Sequence, residues 1–95
     1  MKHCVLLKVA EGVDPIKVQE KIWKAFQKLD DELDWMNRPV IRRSCMETDS
    51  DFDLMTVVEL DSEEQLKALL AHPLVEKLNA DLEKKVARRA SFDHY

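Results

Sequence analysis

The chain has 95 residues, of which 45% are hydrophobic and 36% are charged, and its formal net charge is −4. This length predicts a single domain over residues 1–95 with one core. The acidic balance argues against nonspecific nucleic-acid binding, which needs a basic face. No apolar run approaches the roughly 20 residues that cross a bilayer, so we expect no membrane association.

The first residues predict a strand. Residues 3–10 alternate between two faces, with His3, Val5, Leu7 and Val9 on one and Cys4 and Leu6 on the other. Lys8 interrupts the apolar run and no cleavage site follows, which argues against a secretory signal peptide. The two cysteines, Cys4 and Cys45, lie far apart in the sequence and favour reduced thiols in a cytoplasmic protein.

A helix is predicted to open at Asp14-Pro15. Asp14 can cap the free N–H groups, and proline suits the first helical position. One apolar stripe follows at helical spacing, formed by Val18, Ile22, Phe26, Leu29 and Leu33.

Two strands are predicted in the middle of the chain. Pro39 interrupts the pattern, so the first is expected over residues 40–46, at a sheet edge. The polar residues 47–51 predict a hairpin connection. Residues 54–60 then form a central strand with apolar side chains on both faces.

Two short helices and a last strand complete the pattern. Ser62 and Gln65 have the spacing of a capping box. Pro73 disfavours a helical conformation for His72 and can start the next helix. The stripe of the first helix is Leu66, Leu69 and Leu70, and that of the second is Leu74, Val75, Leu78, Leu82 and Val86. Residues 87–95 are strand-like.

This order predicts an α+β, ferredoxin-like βαββαβ fold, with a four-stranded antiparallel sheet and the helices on one face. Strands 3–10 and 54–60 carry apolar residues on both faces. A bare apolar sheet face would exceed the patch that a monomer usually exposes. We therefore expect a homodimer, sheet against sheet, about a two-fold axis.

Several short motifs occur in an order that resembles a known family. They are Lys2-His3-x-Val5-Leu6-Leu7-Lys8, Asp14-Pro15, the stretch 53–73 that ends Leu70-Ala71-His72-Pro73, and Phe92-Asp93. Over its whole length the chain resembles the stress-responsive A/B barrel domain family. The resemblance implies a dimeric α+β barrel, in which two ferredoxin-like sheets close around a shared interior.

The resemblance implies scattered functions. Members include stress-induced plant proteins, bacterial domains of uncertain role and a polyketide cyclase. In that cyclase a first-strand histidine, a tyrosine before the His-Pro step and a histidine two residues after the proline serve the chemistry. The matching positions here are His3, Leu69 and Val75. Two of the three polar groups are therefore missing, which argues against cyclase activity.

Seven residues are candidates for a ligand pocket, and each has an alternative. Ile22, Phe26, Leu69, Val75 and Leu78 either line a dry pocket or are ordinary core residues at helical spacing. His3 is either a pocket residue or a half-buried strand histidine near a terminus. His72 either serves a ligand or caps the following helix.

Two functions from different classes remain. One is a homodimeric domain that binds a small hydrophobic molecule without catalysis. The other is a cofactor-free enzyme acting on an aromatic or polyketide substrate, with His3 as the only catalytic candidate. The three histidines lack metal-site spacing and a single glycine cannot build a phosphate loop, so we expect no metal and no cofactor.

Overall fold

Four strands and three helices follow one another in a computed structural model that describes residues 1–46 and 51–95. The elements are β1 (Lys2–Val9), α1 (Pro15–Glu32), β2 (Asn37–Arg43), β3 (Leu54–Glu59), α2 (Glu63–Leu70), α3 (Pro73–Leu82) and β4 (Val86–His94). The strands form one antiparallel sheet in the order β2-β3-β1-β4. This is the predicted ferredoxin-like arrangement.

The two faces of the sheet differ because side chains alternate along each strand. On the inner face Val5, Leu7 and Val58 join one buried core with the apolar residues of the three helices. Cys4 and Leu6 point to the opposite, outer face, where they are only half-buried. The helices therefore cover one face of the sheet.

Helix α1 begins as its sequence predicts. The Asp14 Oδ1 atom accepts the backbone N–H of Ile16 at 2.9 Å, and Pro15 is the first helical residue. The apolar stripe is buried, and Leu29 is fully enclosed. Leu33, predicted as the last residue of the stripe, lies just beyond the helix end and is only partly buried.

Strand β2 starts earlier than predicted. It covers Asn37–Arg43 instead of residues 40–46, so Pro39 lies inside the strand. An edge strand tolerates proline because one side of its backbone has no partner strand. The pairing with β3 is irregular between Asn37 and Val40, which also accommodates the proline. The predicted edge position is confirmed, whereas residues 47–50 of the predicted connection lie outside the described residues.

The capping box of α2 forms with one difference. The Ser62 Oγ atom accepts the Gln65 backbone N–H at 3.2 Å, as expected. The Gln65 Oε1 atom accepts the backbone N–H of Asp61 at 2.8 Å, one residue before the cap. The return bond therefore ties the end of β3 to the first turn of α2.

Val86 was predicted to continue the stripe of α3, and this is wrong. Helix α3 ends at Leu82, and Val86 begins β4, paired with Val9. The Lys85 carbonyl accepts the N–H of Ala10 at 2.8 Å, which draws the chain beside β1. An apolar residue at this position satisfies both a helical stripe and an inward strand position, so spacing alone does not distinguish them.

Candidate ligand cavity

A cavity of about 360 Å³ lies between the inner face of the sheet and the three helices. Its walls are largely apolar and include Val5, Leu7, Ile22, Phe26, Val58, Leu69, Val75 and Leu78. The stripes of α1, α2 and α3 all face this space, but their side chains do not fill it. Apolar clefts of this size are typical of small-molecule sites.

Six of the seven predicted pocket residues lie around this cavity. They are His3, Ile22, Phe26, Leu69, Val75 and Leu78. Ile22 and Leu69 are also buried members of the core. The two interpretations of these residues therefore do not exclude each other, because one side chain packs in the core and borders the cavity.

His3 is held by a carboxylate from the other end of the chain. Strands β1 and β4 pair so that His3 stands opposite Asp93. The His3 Nδ1 atom lies 2.5 Å from the Asp93 Oδ1 atom, and His3 is buried while the Asp93 side chain is half-exposed. The sequence offered no partner base for His3. Asp93 was missed because only the register of the first and last strands brings the two together.

The second ring nitrogen of His3 is not used by the pairing with Asp93. Of the two tautomers of the neutral ring, a carboxylate at Nδ1 favours the one with its proton on Nδ1. Nε2 is then an acceptor. Within the described chain, Nε2 has no hydrogen-bond partner, yet every buried side-chain nitrogen and oxygen there is partnered. Nε2 is therefore not fully enclosed, and His3 is one of the residues that line the cavity.

Thr56 provides a second polar group on the inner face. It lies on β3 opposite Val5, one step diagonally from His3, and it lines the cavity. Thr56 is buried, and no side-chain hydrogen bond to its hydroxyl is found in residues 1–46 and 51–95. The hydroxyl is therefore not fully enclosed, and it belongs to a residue that lines the cavity. The apolar space thus contains two hydrogen-bonding groups.

His72 lies elsewhere. Its Nδ1 atom accepts the backbone N–H of Leu74 at 3.1 Å and so caps α3. Its Nε2 atom lies 3.0 Å from the Glu32 Oε2 atom at the end of α1. The ring therefore joins two helix ends, and it is not among the described residues that line the cavity.

A polar rim, formed by the exposed lining residues Asn79, Glu83, Arg88 and Arg89, borders the cavity where α3 meets β4. The Arg89 Nη1 atom donates to the Asn79 Oδ1 atom at 3.1 Å. The Arg88 guanidinium is directed to the start of β3, where Nη2 donates to the Asp51 carbonyl at 2.7 Å and the group lies 5.3 Å from the Phe52 ring centre.

Neither a metal site nor a membrane span is found in the part of the chain that the structure describes. No group of three or more His, Cys, Asp and Glu side chains is placed to hold a metal ion there. None of the helices in residues 1–46 and 51–95 has the length and apolar character that crossing a bilayer requires.

The family model of the stress responsive A/B barrel domain matches residues 1–95, and the chain belongs to that family. Among curated proteins, none matches the sequence significantly.

Solved structures with the same fold include two proteins described as dimeric. One, of unknown function from Bacteroides fragilis, is 19% identical with a TM-score of 0.83 and covers 98% of this chain and 92% of its own. The other, from Thermobifida fusca, is 22% identical with a TM-score of 0.78, and the match covers 96% of this chain and 85% of that protein. A hydroxynitrile lyase from Passiflora edulis is 10% identical with a TM-score of 0.77, and the match covers 98% of this chain and 89% of the lyase. At these identities the similarity shows the fold alone.

The contacts of buried His3 and half-buried His72 predict opposite tautomers in one spectrum. At alkaline pH, where imidazole is neutral, we expect His3 to carry its proton on Nδ1 and His72 on Nε2. Replacing Asp93 with alanine removes the acceptor at Nδ1, so the His3 signals should move to a mixture of tautomers while those of His72 stay unchanged. Long-range proton–nitrogen NMR spectra of the imidazole rings measure this directly. An unprotonated Nδ1 in His3 of the unmodified protein contradicts the assignment.

Proposed function

We propose that the protein is a homodimeric binding domain that holds a small hydrophobic molecule in the cavity between sheet and helices, without catalysing a reaction. The observation that carries this proposal is the apolar cavity of about 360 Å³. At the volume share of a liquid water, about 30 Å³, the space corresponds to roughly a dozen non-hydrogen atoms. The ligand is therefore a small molecule.

His3 and Thr56 add selectivity to this apolar site. Both are buried and line the cavity. A ligand that leaves a buried polar group without a partner loses affinity, whereas one that satisfies it gains a hydrogen bond. We therefore infer a ligand with a largely apolar body and at least one polar group within reach of Nε2 or the Thr56 hydroxyl.

Homodimer formation is supported by an apolar row on the outer face. In the strand register Val40, Val57, Cys4 and Phe92 lie side by side across all four strands. Met55, Leu6 and Ala90 form part of the next row. Phe92 is 68% exposed in the single chain. Two proteins of the same fold are described as dimeric, which supports homodimer formation.

The energetics favour pairing of this outer face. A standard interface covers about 800 Å² on each partner. Since apolar burial contributes about 25 cal/mol per Å², even a few hundred Å² of covered apolar surface contributes several kcal/mol. A two-fold arrangement brings the row of one protomer onto that of its partner.

Cys4 and Cys45 are free, which supports a reducing compartment such as the cytoplasm.

Phe92→Glu should weaken the dimer at least tenfold, because it places a charge at the β4 end of an apolar row that loses its water on pairing. Trp23→Glu is the matched control, since Trp23 is also a half-exposed aromatic residue but lies on α1. Sedimentation equilibrium at micromolar concentration gives the dissociation constants. Equal dissociation constants for the two variants, or a monomeric unmodified protein, would contradict the proposed interface.

Leu78→Trp should reduce binding of a neutral apolar probe such as octanol at least tenfold, because the larger side chain occupies cavity volume. Ala80→Trp is the control, since residues two apart on α3 point to opposite sides and Ala80 is exposed. Titration calorimetry measures both affinities, and circular dichroism checks that both variants fold. If the unmodified protein does not bind octanol, or Leu78→Trp binds it as well, the cavity is not the site.

The pairing of His3 with Asp93 favours a second candidate, a cofactor-free enzyme acting on an aromatic or polyketide substrate. Nε2 would take a proton from a carbon next to a carbonyl, leaving an enolate whose negative charge lies on oxygen. The Asp93 carboxylate would then stabilise the imidazolium. The hydroxynitrile lyase of the same fold supports the idea that this fold can hold an active site. One observation argues against this second candidate: Leu69 and Val75 stand at the positions of the cyclase tyrosine and second histidine.

If this candidate is correct, the protein accelerates deuterium exchange at the methylene group of an aryl β-diketone such as benzoylacetone. General base catalysis contributes roughly 10²–10⁴-fold, so His3→Gln should remove at least a hundredfold of the rate. His72→Gln, which leaves the pair intact, should retain it. Exchange is followed by proton NMR, with thermal unfolding as a check on stability. No difference between the unmodified protein and His3→Gln leaves only the binding function.

A further inference from the structure

Arg89, in the polar rim, lies at the edge of the cavity. Arg89 stands opposite Leu7, so its side chain starts on the inner face of the sheet. It reaches across to the Asn79 side chain on α3, and both residues line the cavity. The guanidinium therefore borders the space in which the ligand is proposed to lie.

No carboxylate of the described chain neutralises this guanidinium. The ion pairs found in residues 1–46 and 51–95 involve His3, Lys8, Lys21 and His72, and none involves Arg89. Glu83 also belongs to the polar rim, but it is exposed and lies beyond ion-pair distance. Arg88 is bound to the Asp51 carbonyl and the Phe52 ring. Arg89 is thus the cation of the rim that keeps donors for a ligand.

We propose that the ligand is an amphipathic carboxylic acid, with its carboxylate on Arg89 and its apolar chain inside the cavity. This inference rests on the proposed ligand-binding function. An arginine fork binds a carboxylate through two parallel hydrogen bonds. Asn79 accepts from Nη1 and so holds the side chain in place before the ligand arrives.

The dimensions of the site agree with this orientation. Arg89 lies level with Leu7, four residues along β1 from His3. At about 3.3 Å per residue, the strand positions that carry these two side chains are roughly 13 Å apart. An extended chain of about eight carbons fits between them, along the wall formed by Val5. The exposed Glu83 carboxylate opposes an anion, and the two hydrogen bonds from the Arg89 fork have to outweigh that repulsion.

Titration calorimetry with octanoate, octanol and octylamine tests the inference at low ionic strength. Octanoate should bind at least tenfold more tightly than octanol, and octylamine should bind no better than octanol. Arg89→Gln should lower octanoate affinity to the level that the same variant shows for octanol. Arg89→Lys should recover part of the preference because it restores the charge.

Arg43→Gln is the matched control. Arg43 also reaches from the sheet to a helix amide, with Nη1 3.3 Å from the Gln19 Oε1 atom on α1, and it does not line the cavity. The same loss of charge there should leave the preference for octanoate intact. A similar loss in Arg43→Gln and Arg89→Gln would mean that only net charge matters, and this would overturn the inference.

The remaining outcomes separate the two proposals. If octanol binds and octanoate binds no better, or if octylamine binds most tightly, the carboxylic acid is wrong while the cavity function stands. If the preference survives Arg89→Gln but is lost in His3→Gln, the carboxylate lies at His3, so its assignment to Arg89 is wrong while the cavity function stands. If none of the three probes binds, the proposed binding function itself fails.

Discussion

The pairing of β1 between β3 and β4 is the constraint on which the rest of the molecule depends. It sets alternate residues of one strand against two different surroundings. Val5 and Leu7 enter the core under the helices, whereas Cys4 and Leu6 stay on the outer face. The same pairing brings Asp93 to His3 and Arg89 to the level of Leu7. Core, outer face and polar groups of the cavity all follow from one register.

The cavity arises from the way the helices cover the sheet. The chain turns at the His72-Pro73 step, where the His72 ring caps α3 and contacts Glu32. Helices α2 and α3 are therefore two short pieces, and their stripes, with that of α1, border a common space. Leu69 and Val75 line this space. They occupy the positions of the tyrosine and the second histidine in the polyketide cyclase of this family. The same fold thus presents a site that is mostly apolar, with polar groups at His3, Thr56 and Arg89.

Much of the architecture is readable from the sequence because it depends on local periodicity. The cap at Asp14 and the stripe through Leu29 belong to one helix, and neighbouring residues determine them. The site is less readable because its geometry depends on cross-strand register. His3 and Asp93 are 90 residues apart in sequence, and no local pattern indicates that they meet. The start of β2 and the end of α3 were predicted wrongly for a related reason. An edge strand tolerates a proline such as Pro39, and an apolar residue such as Val86 fits a helix stripe and a strand equally well.

Diffraction from a crystal kept under xenon pressure tests the central claim most directly, namely that helices and sheet enclose space that a ligand can enter. Apolar cavities bind xenon without needing a specific partner. We expect a xenon atom among Phe26, Val58 and Leu69, or density at the same place for a molecule carried through purification. Side chains packed in contact across this space, with no xenon bound, would contradict it.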